Sequence, residues 1–110
     1  MTARGTWTRA SCVIHIFAMA TRHIVILGRV QGVGYRDALC DEARLRRVSG
    51  WVRNRRDGTV EALVQGTPEN VDSVLRWARV GPPMARVTEV RILSDAEAPT
   101  HARFIRLPTA

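Results

Sequence analysis

The sequence predicts an α+β sandwich, an antiparallel sheet carrying two helices on one face, with elements in the order β-α-β-β-α-β. Three observations predict it. Two amphipathic stretches at helical period are set among strand-like runs. A turn-rich segment, Arg55-Arg56-Asp57-Gly58, joins the two middle runs as a hairpin, and neither an internal repeat nor a low-complexity linker divides the chain. With 110 residues, 45% of them hydrophobic and 25% charged, the chain has the balance of one folded domain with a single modest core.

Each element has its own local reason. His23-Ile24-Val25-Ile26-Leu27 is a β-branched apolar run closed by Gly28, the pattern of a buried central strand. From Tyr35 to about Val48, Ala38, Leu39, Ala43 and Leu45 interleave with charges, with Asp37, Asp41 and Glu42 ahead of Arg44, Arg46 and Arg47. That is an amphipathic helix whose charges match its dipole, and Cys40 reads as a small buried hydrophobe on it. Ser49-Gly50 interrupts the helix, Trp51-Val52 opens a strand, and Thr59 to Val64 returns after the hairpin turn. Thr67 is a suitable N-cap, Pro68 stands at the first helical position, and Val71, Val74, Leu75 and Ala78 recur at helical spacing until Gly81-Pro82-Pro83 stops the run. Trp77 on this helix reads as core. Arg86 to Leu93 alternates as a half-buried strand does, and Phe104 to Leu107 forms a short closing strand. The order is the split βαβ arrangement of ferredoxin-like sandwiches.

Composition narrows the chemistry. The formal charge is +7, and all seventeen basic residues are Arg. The absence of Lys excludes a Schiff-base lysine and a Walker-type phosphate loop, whereas the planar guanidinium fork suits phosphate and carboxylate. An anionic partner is favoured, although net charge does not separate a metabolite from a nucleic acid. Cys12 and Cys40 form no Cys-x-x-Cys pair, and His15, His23 and His101 form no spaced ligand set. A reduced, cytoplasmic protein with no metal and no cofactor is therefore expected. The apolar stretch Cys12 to Ala20 is much shorter than the ~20 residues of a membrane span, so no membrane association is expected. With Arg4 and Arg9 before it, that stretch also has the outline of a short export signal, although His15 interrupts it. Residues 1–20 read as an N-terminal extension, disordered or the product of a start assigned upstream of Met19, and residues 21–110 as the working domain.

Gly28, Gly32 and Gly34 lie between the first strand and the first helix, and the loop runs straight into Tyr35-Arg36. Amides of such a loop can converge on an anion, aided by the positive end of the helix dipole. Arg36 is a cation where that dipole disfavours one, a conflict that a bound anion removes. The same glycines fit a tight structural turn, and their spacing matches neither nucleotide-binding pattern. Along the second strand, alternation sets Trp51 and Arg53 on one face and Val52 and Asn54 on the other, so Asn54 can reach the loop edge from the end of the hairpin. An Asn before a turn also has a purely structural use.

Gly28-Arg29-Val30-Gln31-Gly32-Val33-Gly34-Tyr35-Arg36 and Gly50-Trp51-Val52-Arg53-Asn54-Arg55-Arg56-Asp57-Gly58-Thr59-Val60-Glu61 together resemble the two signature segments of the acylphosphatases. The likeness runs from about His23 to Leu107. It implies an enzyme that hydrolyses the carboxyl-phosphate bond of small acyl phosphates. Arg36 then matches the phosphate-binding arginine, and Asn54 the asparagine that orients the attacking water. The amides of Gln31, Gly32, Val33, Gly34 and Tyr35 would share the phosphate. The leaving carboxylate is so weakly basic that no general acid is needed. A loose phosphoryl-transfer transition state asks mainly for positioning and charge stabilisation. The implied protein is a cytoplasmic monomer without metal or cofactor, able to hold inorganic phosphate or sulfate, with no nucleic acid among its partners. Two rivals stand beside it. One is an RNA-binding module using the Arg44 to Arg47 and Arg53 to Arg56 runs; the other is an accessory domain cut from a carbamoyl-transferring enzyme.

Overall fold

β-Branched and apolar residues at alternate positions let a strand bury one face, and this chain buries that face under both helices. The computed structural model describes residues 19–94 and 101–110. The elements are β1 (Ala20–Arg29), α1 (Tyr35–Leu45), β2 (Ser49–Asn54), β3 (Val60–Gly66), α2 (Pro68–Ala78), β4 (Arg86–Ser94) and β5 (Phe104–Arg106). The sheet order is β4-β1-β3-β2-β5. Its first four strands pair antiparallel, as the sequence predicts, while β5 runs parallel to β2 and makes that edge mixed. Helix α1 packs on β2 and β5, and α2 on β1, β3 and β4. Ile24, Ile26, Val52, Val60, Ala62 and Val64 from the sheet meet Tyr35, Leu39, Ala43, Val71 and Val74 from the helices in one core. Cys40 is buried there, and that burial pushes its thiol up.

The helix ends follow local chemistry. At α2, Thr67 Oγ1 accepts from the Asn70 amide at 3.3 Å and Pro68 opens the first turn. Helix α1 stops at Leu45, short of the Val48 expected from periodicity. Arg47 adopts a left-handed φ of 58°, which lets the Val48 amide bond Ala43 O at 2.8 Å and the Arg47 amide bond Arg44 O at 3.2 Å. This double closure is a Schellman end. In the hairpin turn, Asp57 Oδ1 accepts from the amide and hydroxyl of Thr59 at 3.0 and 2.6 Å.

β1 starts at Ala20, one residue before the domain boundary expected at 21. The reading of residues 1–18 as an extension lies outside the described residues. No helix among the described residues is long and apolar enough to cross a membrane. The sheet face away from the helices carries a polar cluster that the sequence did not reveal. Glu61, 5% exposed, accepts from Arg53 Nε at 2.7 Å and lies 2.6 Å from His23 Nε2, while the Arg53 guanidinium sits 5.0 Å from the Trp51 ring centre. Burial raises the Glu61 carboxyl, but the hydrogen bonds from Arg53 and His23 outweigh it and hold the group below its ordinary range.

Candidate active site

The loop between β1 and α1 is anchored at one end by Val30, which is 1% exposed, and at the other by Tyr35, whose ring is buried in the core. Tyr35 Oη donates to Ala78 O at 2.7 Å, and burial pushes its phenol well above the usual tyrosine range. Between these anchors Gly32 and Gly34 take left-handed φ values of 73° and 79°. Added Cβ atoms there would meet nothing within 4 Å, so it is the backbone conformation, not crowding, that calls for glycine. Val33 packs its side chain against the core, which leaves its backbone to the loop.

Gly34 is the N-cap of α1, and no side chain caps this end. The first amide to bond back is that of Ala38, to Gly34 O at 3.0 Å, so the amides of Tyr35, Arg36 and Asp37 have no helical acceptor. They open beside a cleft of about 190 Å³ whose walls include Gln31, Gly32, Gly34, Arg36, Asp37 and Asn54. Asn54 comes from the last position of β2, and the Val52 beside it points into the core, as the alternation predicts. The structure thus brings Arg36, Asn54 and the loop to one cleft, although they come from separate elements.

Two buried polar atoms in this cleft, Arg36 Nε and Asn54 Oδ1, have no hydrogen-bond partner among the described residues. Leaving such a group unsatisfied costs about 1–3 kcal/mol, and proteins rarely do it without a use. Arg36 Nε lies 3.6 Å from Asp37 Oδ1, close enough for an ion pair but too far for a hydrogen bond. Asp37 is the one carboxylate among the residues lining the cleft, and it is already engaged. Arg106 Nη1 donates to it at 2.8 Å, and that bond, with the nearby guanidinium charges, holds its carboxyl below the usual range. It is therefore a poor base.

Gln31 does more than the sequence indicated. Its Nε2 donates to Arg55 O at 2.6 Å and to Thr59 O at 2.8 Å, tying the glycine loop to the hairpin that ends at Asn54. An amide side chain inside a Gly-rich loop is the only signal sequence offers for such a bridge. Beyond the hairpin, the Ala110 amide donates to Asn54 O at 3.0 Å and the Arg56 amide to Ala110 O at 2.9 Å, which fixes the same corner from the other side. Backbone donors, a guanidinium and one free amide oxygen converge on a small cleft. Such a set suits an anion with a hydrogen-donating molecule beside it.

Fold and cleft together define a ferredoxin-like α+β sandwich with an uncapped helix end over a glycine loop. The family model for Acylphosphatase matches residues 22–105. The acylphosphatase of Bordetella parapertussis is 47% identical over 89 residues, covering 81% of this chain and 95% of that protein. Among solved structures, the acylphosphatase from Bacillus subtilis superposes with a TM-score of 0.76 at 35% identity, covering 81% of this chain and 98% of that one. One from Coxiella burnetii gives 0.79 at 26% identity, over 84% and 97%. The chain belongs to the acylphosphatase family.

Proposed function

We propose that the protein hydrolyses small acyl phosphates in the cleft between the glycine loop and Asn54. The observation that carries this reading is the pair of unsatisfied buried atoms, Arg36 Nε and Asn54 Oδ1, in one cleft beneath an uncapped helix end. In this reading the phosphoryl oxygens lie against the amides of Gln31 to Tyr35 and the Arg36 guanidinium. The attacking water donates a hydrogen bond to Asn54 Oδ1, which turns a lone pair toward phosphorus. The new P–O bond forms as the bond to the acyl oxygen breaks. The electron pair leaves on the carboxylate, and the proton of the water passes to a phosphoryl oxygen.

Such a scheme needs no carboxylate base, in keeping with an Asp37 that Arg106 keeps ionised and occupied. It needs no acid either, because the leaving carboxylate is stable unprotonated. Arg36 and the amides hold charge that the loose transition state spreads over its equatorial oxygens. The proposal extends to a metal-free, monomeric, cytoplasmic enzyme, with inorganic phosphate or sulfate as the simplest ligand of the cleft. The RNA-binding rival is weakened by Arg53, whose guanidinium is engaged by Glu61 and the Trp51 ring.

The test follows loss of benzoyl phosphate by ultraviolet absorbance, with and without chelator, in the wild type, Arg36→Ala and Asn54→Ala. Chelator-resistant turnover that is lost in both variants is the expected result. A folded wild type that leaves benzoyl phosphate intact would overturn the proposal.

A further inference from the structure

A second cleft, larger than the one just described, is formed by the described residues. It lies at the opposite end of α1, about 16 Å along the helix by its rise per residue, and has a volume of about 360 Å³. Arg44 and Arg47 from the end of α1, and His101 and Arg103 from the approach to β5, line it together with Val48 and Phe104. Among the described residues, no acidic one lines it. From this cleft we infer a second anion site, built for a small organic phosphate, that plays no part in the hydrolytic reading and does not depend on it.

Several arginines of this protein are matched by carboxylates. Arg46 is matched by Glu42, Arg53 by Glu61, Arg91 by Glu89 and Arg106 by Asp37. Arg44, Arg47 and Arg103 are among the described arginines without a carboxylate partner, and these three come together along one cleft, where Arg44 Nε also donates to Phe104 O at 3.0 Å. A helix C-terminus attracts cations, which accounts for Arg44 and Arg47 alone. It does not account for Arg103, which belongs to another segment. Nor does the negative helix end repel an anion strongly here, because the terminal carbonyls of Ala43 and Arg44 are already taken by the amides of Val48 and Arg47.

Arg47 supplies a second, independent observation. It is the one non-glycine residue with positive φ among those described, at the position where a helix end favours glycine. Holding an arginine in that conformation costs on the order of 1 kcal/mol, and such strain tends to persist where the side chain has a use. The ligand class follows from the walls. Guanidinium forks match phosphate oxygens in bidentate fashion, Val48 and Phe104 offer apolar surface, and the volume falls in the range of small-molecule sites. A phosphate bearing an organic group satisfies both kinds of wall.

The test uses the full chain carrying Arg36→Ala, which disables the first cleft, titrated with phenyl phosphate at fixed ionic strength and followed by backbone amide chemical shifts. A parallel titration of the wild type saturated with inorganic phosphate guards against a folding defect in that variant. Saturable shifts at Arg47, Val48, Ser49 and Phe104 are expected. Adding Arg103→Ala or Arg47→Gly should weaken them about tenfold or more, the usual worth of a charge-assisted hydrogen bond. Arg47→Gly relieves the left-handed backbone, so its effect is not one of unfolding, and neither substitution should alter benzoyl phosphate hydrolysis by an otherwise wild-type chain. Shifts that never saturate, or that spread evenly over the surface arginines, would overturn the site. So would tighter, saturating binding of a short RNA whose shifts extend across Arg53 to Arg56, which would make the cleft part of a nucleic-acid face.

Discussion

The two helices are each eleven residues long, yet they begin in opposite ways. Helix α2 supplies its own start: Thr67 caps it, Pro68 presets the first turn, and Glu69 places an acid at the positive end of the dipole. Helix α1 begins on a glycine with no side-chain cap, and although Asp37 sits in its first turn, that carboxylate is drawn off by Arg106 while Arg36 adds a cation. One terminus is complete within the chain, and the other, in the proposed reading, is completed by an anion. The contrast teaches that a helix end left unfinished by a sequence able to finish the other marks the place for a ligand.

The contrast can be broken most severely at Arg36. Replacing it with alanine should lower kcat/KM for benzoyl phosphate about a thousandfold, the scale of losing an electrostatic donor from a transition state. Inorganic phosphate should raise the Tm of the wild type, and the substitution should abolish that rise. Asn54→Ala should reduce kcat about a hundredfold while leaving inhibition by inorganic phosphate unchanged. Equal losses in both measures would mean that Asn54 holds the anion rather than the water.

Smaller effects sharpen the comparison. Gly34→Ala forces a side chain into a φ of 79° and should cost about 1 kcal/mol, seen as a Tm lowered by several degrees together with weaker phosphate binding. Thr67→Ala should cost a similar ~1 kcal/mol in urea denaturation but leave kcat and KM as they were. If that variant lost activity selectively, the separation of a structural helix end from a functional one would fail.

The buried Glu61 on the far face gives the smallest and most conditional effect. Its carboxyl is held below the ordinary value, so it adds stability at pH values above the unfolded glutamate range, and that stability is lost as pH falls through the folded value. The Tm gap between wild type and Glu61→Gln should therefore narrow on going from neutral pH to about pH 3, well below the unfolded carboxyl.

Much of this was legible in the residues themselves, and some of it was not. Thr67 and Pro68 announce α2 because capping and fixed φ act between near neighbours. Asn54 can be placed on the same face as the core residue Val52, at the loop edge, because strand alternation needs only that neighbour two positions before it. The early stop of α1 was hidden, since periodicity continues to Val48 while the left-handed Arg47 ends the helix. The Gln31 bridge to Arg55 and Thr59 was hidden for another reason: it spans more than twenty positions and depends on how the hairpin docks against the loop. The Glu61 cluster likewise needs the register that sets Arg53 and Val25 opposite Glu61.

By itself the sequence determined the order of elements, the glycine loop feeding a helix, and the cation Arg36 placed where the helix dipole disfavours one. These follow from local rules of period, capping and backbone freedom. Only the tertiary structure decided that Arg36 and Asn54 share one cleft with unsatisfied atoms, that Gln31 locks the loop to the hairpin, and that Arg44, Arg47 and Arg103 meet at the other end of α1. Those outcomes depend on how strands far apart in sequence pair and on which side chains the packed core leaves without a partner, and neighbouring residues carry no record of either.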